Sequence, residues 1–435
     1  MFYGWWDWRF LFLLVFSTLL DYFSGIQIEK SKSVKESKFW FWLSIIINLG
    51  FLGIFKYYNF FATSFTELIN GFGFQVNPVL IKVILPVGIS FYTFHGLSYV
   101  IDIYYKRIKA ETNFIDYSLF VSYFPLLVAG PIERATHLLP QVKVKREFNF
   151  EKAKEGVHQI IWGLVKKVVI ADSCALYANE VFNHQEQMNS SSLLLGAIYF
   201  AFQIYGDFSG YSDIALGTSK LFGIDLLKNF NFPYFSRDIA EFWRRWHISL
   251  STWLRDYLYI SMGGNRKGKL RTYLNLAITM LIGGLWHGAA LKFIVWGALH
   301  GLALTLHKLW SENIKLPASR WGNYVSILIT FHFVAFCWMY FRAADMYTVK
   351  LMLNNISTHF DFAGIGTRVL AYWKVFALIL TGFAVHFLPS NLKNRAEWWY
   401  SEASYTVKIV LFVMVIVVIY QATSSDLQPF IYFQF

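Results

Sequence analysis

Residues 39–61 read FWFWLSIIINLGFLGIFKYYNFF. A block of roughly 18–25 apolar residues is what it takes to cross about 30 Å of hydrocarbon. Further apolar blocks lie at approximately 5–24, 79–101, 117–130, 158–183, 192–217, 238–260, 272–290, 293–310, 322–341, 370–389 and 404–422. Across its 435 residues the chain is 56% apolar and 20% aromatic, and 15% of it is charged. Soluble domains carry about 25% charged residues. This pattern excludes disorder, a collagen-like repeat and a disulfide scaffold, and argues against an ordinary cytosolic enzyme. The chain reads as an all-α polytopic membrane protein, with residues 1–435 forming a single integral membrane domain. The stretch Met1 to Leu20 has tryptophans and an aspartate ahead of its apolar run and no small-residue cleavage site. It is therefore expected to be a retained helix and not a signal peptide.

The formal net charge of +12 does not point to nucleic acid, because the lysines and arginines fall in short loops between apolar blocks. Residues 26–38 hold Lys30, Lys32, Lys35 and Lys38, residues 104–112 hold Lys106, Arg107 and Lys109, and residues 62–77 hold no Lys or Arg. That alternation places the first and third loops in the cytoplasm. The loop 133–154, with Arg134, Lys143, Lys145, Arg146, Lys152 and Lys154, belongs on the same side. The short block 117–130, which ends Ala129-Gly130-Pro131, must then enter and leave on one side. A re-entrant segment fits, and such backbone survives at membrane depth only where protein or a water-filled cavity surrounds it. The block 238–260 holds Glu241, Arg244, Arg245, Arg255 and Asp256, too many charges for a lipid-facing span. It reads as a cytoplasmic re-entrant or surface helix, with Glu241 and Arg245 spaced to pair.

Polar residues at membrane depth are costly and carry most of the functional information. His287 lies in Gly283-Gly284-Leu285-Trp286-His287-Gly288, about 24 Å along a helix counted from Arg271. A lone imidazole in an apolar cavity suits a general base, since its unperturbed pKa is near 6.5. A structural histidine bridging two helices is the competing account. His247, in Arg244-Arg245-Trp246-His247-Ile248-Ser249, is most simply a histidine on an amphipathic surface helix when taken by itself. His300 and His307 share one helical face, but without a carboxylate partner packing is the plainer reading than haem or metal. Asp207 and Asp213 either pair with arginines in the core or line a polar passage, and pairing is commoner. Glu133 and Arg134 would pair in a tight turn after Gly130-Pro131. Cys174 and Cys337 have no metal or redox spacing and read as small core residues. No internal repeat supports an inverted-repeat transporter.

Taken together, these stretches resemble one family. Arg237-Asp238-Ile239-Ala240-Glu241-Phe242-Trp243-Arg244-Arg245-Trp246-His247-Ile248-Ser249-Leu250 followed by Trp253-Leu254-Arg255-Asp256-Tyr257 resembles the signature of the membrane-bound O-acyltransferases. Gly284-Leu285-Trp286-His287-Gly288 matches that family's second histidine site. Tyr205-Gly206-Asp207-Phe208-Ser209-Gly210-Tyr211-Ser212-Asp213, Ala129-Gly130-Pro131-Ile132 and Gly263-Gly264-Asn265-Arg266 also fit. The resemblance covers about 85–345 closely and is strongest to the alginate O-acetyltransferase branch, whose ending is similar to Pro429-Phe430-Ile431-Tyr432-Phe433-Gln434-Phe435. Relatives often have another apolar segment before the region of Tyr3-Gly4-Trp5.

The resemblance implies a ring of about ten to eleven transmembrane helices with re-entrant segments around a central tunnel, in the cytoplasmic membrane. It implies acetyl transfer from a cytoplasmic thioester, acetyl-CoA, with no bound cofactor and no metal. His287 would be the general base and His247 would orient the thioester. Arg244, Arg245, Trp246, Asn265 and Lys267 would hold the donor, and Lys269 adds charge at the same mouth. The basic residues have a second explanation in topology alone. The expected partners are membrane lipids, an extracellular polysaccharide and a periplasmic or extracellular esterase-like transferase, with no nucleic acid. The alternatives are D-alanyl transfer to teichoic acid, peptidoglycan O-acetylation, a non-enzymatic polymer transporter and a haem protein.

Overall fold

Caps and prolines decide where each apolar block becomes a helix. The computed structural model describes residues 3–5, 7–82, 84–314, 319–358, 360, 364–387, 392, 395, 399 and 402–423. The terminal stretch Pro429–Phe435 lies outside them. Among the described residues the secondary structure is helical, with no strand. They gather into two compact units, one drawn from 1–156, 218–229 and 247–290, the other from 157–217, 230–246 and 291–435.

In the first unit, Asp7 accepts the Arg9 N–H at 3.0 Å and Ser33 accepts the Glu36 N–H at 3.2 Å, starting the helices Trp8–Lys30 and Val34–Leu52. Such caps satisfy backbone donors that a helix leaves orphaned. The second helix does not end near 61, as its apolar block suggests. A π-turn over Gly53–Tyr57 carries it into Tyr58–Gly71. The block 79–101 is helical only from Ile89, in Ile89–Tyr104, because Pro86 and a left-handed Gly88 (φ +74°) precede it. That helix packs against both Trp8–Lys30 and Val34–Leu52. Between them Asp21, 1% exposed, accepts hydrogen bonds from Ser44 Oγ (2.6 Å) and Asn48 Nδ2 (2.8 Å). Donors supplied from the facing helix are what make a carboxyl group tolerable there.

The short block 117–130 breaks up. The helix Phe114–Ser122 gives way to a 3-10 turn at Phe124–Leu126 and then to irregular backbone, with Gly130 at φ +105°, until Ala135–Lys143. Glu133 and Arg134 do not pair with each other. On extended backbone, neighbouring side chains point opposite ways. Glu133, fully buried, meets His137 Nδ1 at 2.7 Å and accepts the Leu227 N–H at 2.6 Å, while Arg134 reaches Asp256 at 2.5 Å.

Glu133 raises the His137 pKa above the ordinary imidazole value, chiefly through the hydrogen bond, which together with its charge outweighs the opposing effect of burial. A raised folded-state value means the stabilisation is fully present below the unfolded value, about 6.5, and is lost as pH rises through the folded value. In detergent melts, His137→Gln is expected to lower the midpoint at roughly pH 5.5 and to match the parent at roughly pH 9. A deficit that is the same at both pH values would rule the pair out as its source.

In the second unit the aspartates at 207 and 213 do pair, but with lysines. Lys166 reaches Asp213 at 2.6 Å, and Lys167 reaches Asp172 at 2.7 Å and Asp207 at 3.0 Å, all from the π-turn Val165–Ala171. The Glu241–Arg245 pair forms at 2.8 Å, and Arg237 shares the carboxylate at 3.0 Å. Trp246, Trp296, Trp338 and Phe242 build an aromatic core, anchored where Trp338 Nε1 donates to the Tyr234 hydroxyl (3.2 Å). Both cysteines are free and buried.

By length and composition, three helical stretches among the described residues suffice to cross a membrane: Trp8–Lys30, Val34–Gly71 and Arg320–Arg342. A fourth is added if Gly364–Ala371 and Trp373–Thr381, bent by 77°, form one broken span. Several apolar blocks fall short of a span because their helices are too short, as with Ile89–Tyr104 at 16 residues and Phe114–Ser122 at 9.

Candidate active site

His247 is not on a surface helix. The block 238–260 divides into Ile239–Arg245, Ile248–Trp253 and the π-turn Leu254–Tyr259, and His247 sits at the first break with φ +42°. A left-handed non-glycine residue is costly and must be held by its surroundings. Here the Ile248 N–H bonds the Asn229 carbonyl at 2.8 Å, and the imidazole is 0% exposed. Its Nδ1 lies 3.0 Å from Asn229 Oδ1, which also accepts from Ser249 Oγ at 2.8 Å. Ser249 Oγ in turn accepts the Ile132 N–H at 2.9 Å. An amide oxygen only accepts, so Nδ1 carries the proton and Nε2 is the basic nitrogen of the neutral ring.

His287 ends the helix Lys269–His287, 9% exposed, where Gly288 turns to extended backbone. Trp286 connects the two histidines. Its ring lies 6.1 Å from that of His247 and 5.0 Å from that of His287, edge to face in both cases. Phe91 and Phe94 pack on Trp286 at 5.6 Å and 5.5 Å, and Phe94 stacks on Trp253 at 3.8 Å, nearly parallel. The result is a buried aromatic wall carrying two imidazoles, contributed by the helices Ile89–Tyr104 and Lys269–His287 and by His247 and the helix Ile248–Trp253 that follows it. Electrostatic interactions are stronger in such low-dielectric surroundings than in water.

The first unit thus brings His247 and His287 into one cluster. Asn265 and Lys267 are exposed on the turn before Lys269–His287. Arg244, Arg245 and Trp246 belong to the second unit. There Arg244 is exposed, Arg245 is engaged by Glu241 and the Asn231 carbonyl, and Trp246 is buried against Phe242 and Trp338. His300 accepts from Trp243 Nε1 at 3.3 Å, and His307 lies 3.5 Å from Asp238. Among the described residues no group of three or more His, Cys, Asp or Glu is arranged to hold a metal ion. Sequence reasoning passed over Asn229 and Ser249, which set the tautomer of His247, and Lys56 and Tyr57, which reach the end of the His287 helix. Only the polar character of Lys56 inside an apolar block signalled any of them.

Two buried imidazoles on one aromatic wall of a helical membrane protein supply a base for proton transfer at a hydroxyl. The model of the MBOAT, membrane-bound O-acyltransferase family matches residues 104–349, and the chain belongs to that family. It is an O-acyltransferase of the membrane. It is 44% identical over 410 residues to the "Probable alginate O-acetylase AlgI" of Pseudomonas aeruginosa, a match that spans 91% of this chain and 77% of that protein. To the protein of the same name from Pseudomonas putida it is 37% identical, over 100% of this chain and 92% of the relative. The peptidoglycan O-acetyltransferase of Helicobacter pylori is 37% identical, over 82% and 71% respectively.

Proposed function

We propose that this enzyme moves an acetyl group from a cytoplasmic thioester, acetyl-CoA, to a hydroxyl reached from the outer face of the cytoplasmic membrane, for O-acetylation of an extracellular polysaccharide such as alginate. The observation that carries the reading is the Trp286-bridged pair His247 and His287. In this reading a ring of ten to eleven helices surrounds the pair and leaves it open to both faces. His287 takes the proton of the attacking hydroxyl, the hydroxyl oxygen bonds to the thioester carbonyl carbon, and the carbon–sulfur bond breaks. The departing thiolate recovers the proton from His287, leaving an ester and free coenzyme A. His247 orients the thioester end. Asn265 and Lys267, exposed on the turn before the His287 helix, serve the donor at the cytoplasmic mouth. A periplasmic esterase-like partner completes delivery to the polymer. The alginate-like acceptor is supported by the relatives of that name that match across 91% and 100% of this chain, against 82% for the peptidoglycan relative.

The deciding experiment supplies radiolabelled acetyl-CoA to membranes containing the enzyme together with its esterase-like partner, with alginate, peptidoglycan or a D-alanyl carrier system offered in parallel. Label in alginate alone supports the reading. Label in peptidoglycan, or transfer of D-alanine, moves the enzyme to another branch, and no turnover with any donor favours a transporter.

Asn229→Ala tests the tautomer argument. It removes the acceptor for His247 Nδ1–H, a buried bond whose loss costs about 1–3 kcal/mol. Transfer is expected to fall roughly tenfold to a hundredfold, measured as initial rate in the same membranes. Parent-like rates would detach His247 orientation from catalysis.

A further inference from the structure

The helix Val34–Leu52 is apolar, yet the π-turn that follows it ends Phe55-Lys56-Tyr57. A π-turn inserts an extra residue, and such turns recur at functional positions. Here it aims two consecutive polar side chains at one target. Lys56 Nζ donates to the Trp286 carbonyl and, at 3.1 Å, to Ser90 Oγ. The Tyr57 hydroxyl donates to the Leu285 carbonyl at 3.0 Å. These two carbonyls belong to the last turn of Lys269–His287, whose end leaves its final carbonyls without partners inside the helix. The Lys56 ammonium also lies 5.7 Å from the centre of the Trp286 ring. Cations are favoured at a helix C-terminus and over an indole face.

We propose that Lys56, with Tyr57, is a positioning residue: it caps the helix that carries His287 and fixes that imidazole against Trp286. The inference rests on the acyl-transfer reading only for its kinetic consequence, since the cap itself is a matter of geometry. A lysine left among apolar side chains, with no carboxylate among its described bonds, is costly to keep. Capping the one helix end that presents His287 gives it a role.

The test uses the full chain in membranes and two readouts. The first is carbethoxylation of histidines by diethyl pyrocarbonate, followed by mass spectrometry. Lys56→Met is expected to speed modification of His287 about fivefold, leaving the exposed His184 at its parent rate, while Lys56→Arg stays near parent. The second is acetyl transfer from acetyl-CoA. Lys56→Met should lower kcat about tenfold to a hundredfold with KM for acetyl-CoA within about twofold, and Lys56→Arg should restore most of it. Parent-like His287 labelling in Lys56→Met, or an arginine variant no better than methionine, overturns the proposal. Should Lys56→Met fail to insert, Tyr57→Phe decides: faster His287 labelling upholds the cap, and unchanged labelling overturns it. If the parent itself transfers no acetyl group, the functional reading fails while the labelling still decides the role of Lys56.

Discussion

His287→Ala is expected to lower acetyl transfer about a thousandfold while the protein stays folded in the membrane. General-base catalysis contributes roughly 10²–10⁴ in rate. Of the other imidazoles of the first unit, His95 Nε2 accepts the Glu133 N–H at 3.3 Å and His137 is engaged by the Glu133 carboxylate, while His247, fixed through Nδ1 by Asn229, lies across Trp286 from His287 and has the separate proposed role of orienting the thioester. Trp286 keeps its packing on Phe91 and Phe94 whether or not its neighbour carries a ring, so the fold should survive. The measurement is polymer O-acetyl content alongside the amount of protein extracted intact in detergent. His287→Gln, which retains bulk and a hydrogen-bonding amide but not basicity, should be as inactive as alanine. Polymer acetylated at parent levels in either variant would sink the catalytic assignment and restore the bridging histidine as the better account.

What the sequence made legible follows the range of the interactions. The membrane class was readable because hydrophobic length is a property of local composition. The Glu241–Arg245 pair was readable because four residues bring two side chains onto one helical face. The break at His247 was not. Nothing near it in the chain demands a left-handed residue, and what holds it there is a bond from Ile248 back to Asn229. Lys56 and Tyr57 were hidden for the same reason, since their partners Trp286 and Leu285 lie far along the chain from the π-turn. For the aspartates at 207 and 213 pairing was foreseeable, but the identity of the cations depended on a π-turn that brings Lys166 and Lys167 inward together. Glu133 and Arg134 erred the other way, because adjacency in sequence suggested a pair that extended backbone prevents.

Gly88→Ala should be among the most destabilising single-methyl changes in the chain. Gly88 precedes Ile89–Tyr104 at φ +74°, and a Cβ there would stand 2.1 Å from the Leu127 carbonyl oxygen. Two costs combine. A non-glycine residue in the left-handed region costs about 1–3 kcal/mol. The overlap is with backbone, which cannot rotate away, and forcing atoms into a packed interior costs about 1–3 kcal/mol more. The obstruction falls where it matters for chemistry. Ser90, Phe91 and Phe94 lie in the first turns of that helix, bonding Lys56 and packing on Trp286, and Leu127 follows the broken segment after Phe114–Ser122. A helix start displaced far enough to relieve the contact carries those aromatic rings with it. The expected result is little folded protein recovered in detergent and, for what is recovered, a midpoint lowered by several degrees with transfer reduced well beyond the loss of protein. Gly73, which also has positive φ (+93°) but no atom within 4 Å of an added methyl, supplies the control, since Gly73→Ala meets the backbone cost alone. If the two alanine variants prove equally mild, the close approach of Leu127 does not constrain the start of this helix, and the site owes its alignment to the opposite end, where Lys56 and Tyr57 reach the His287 helix.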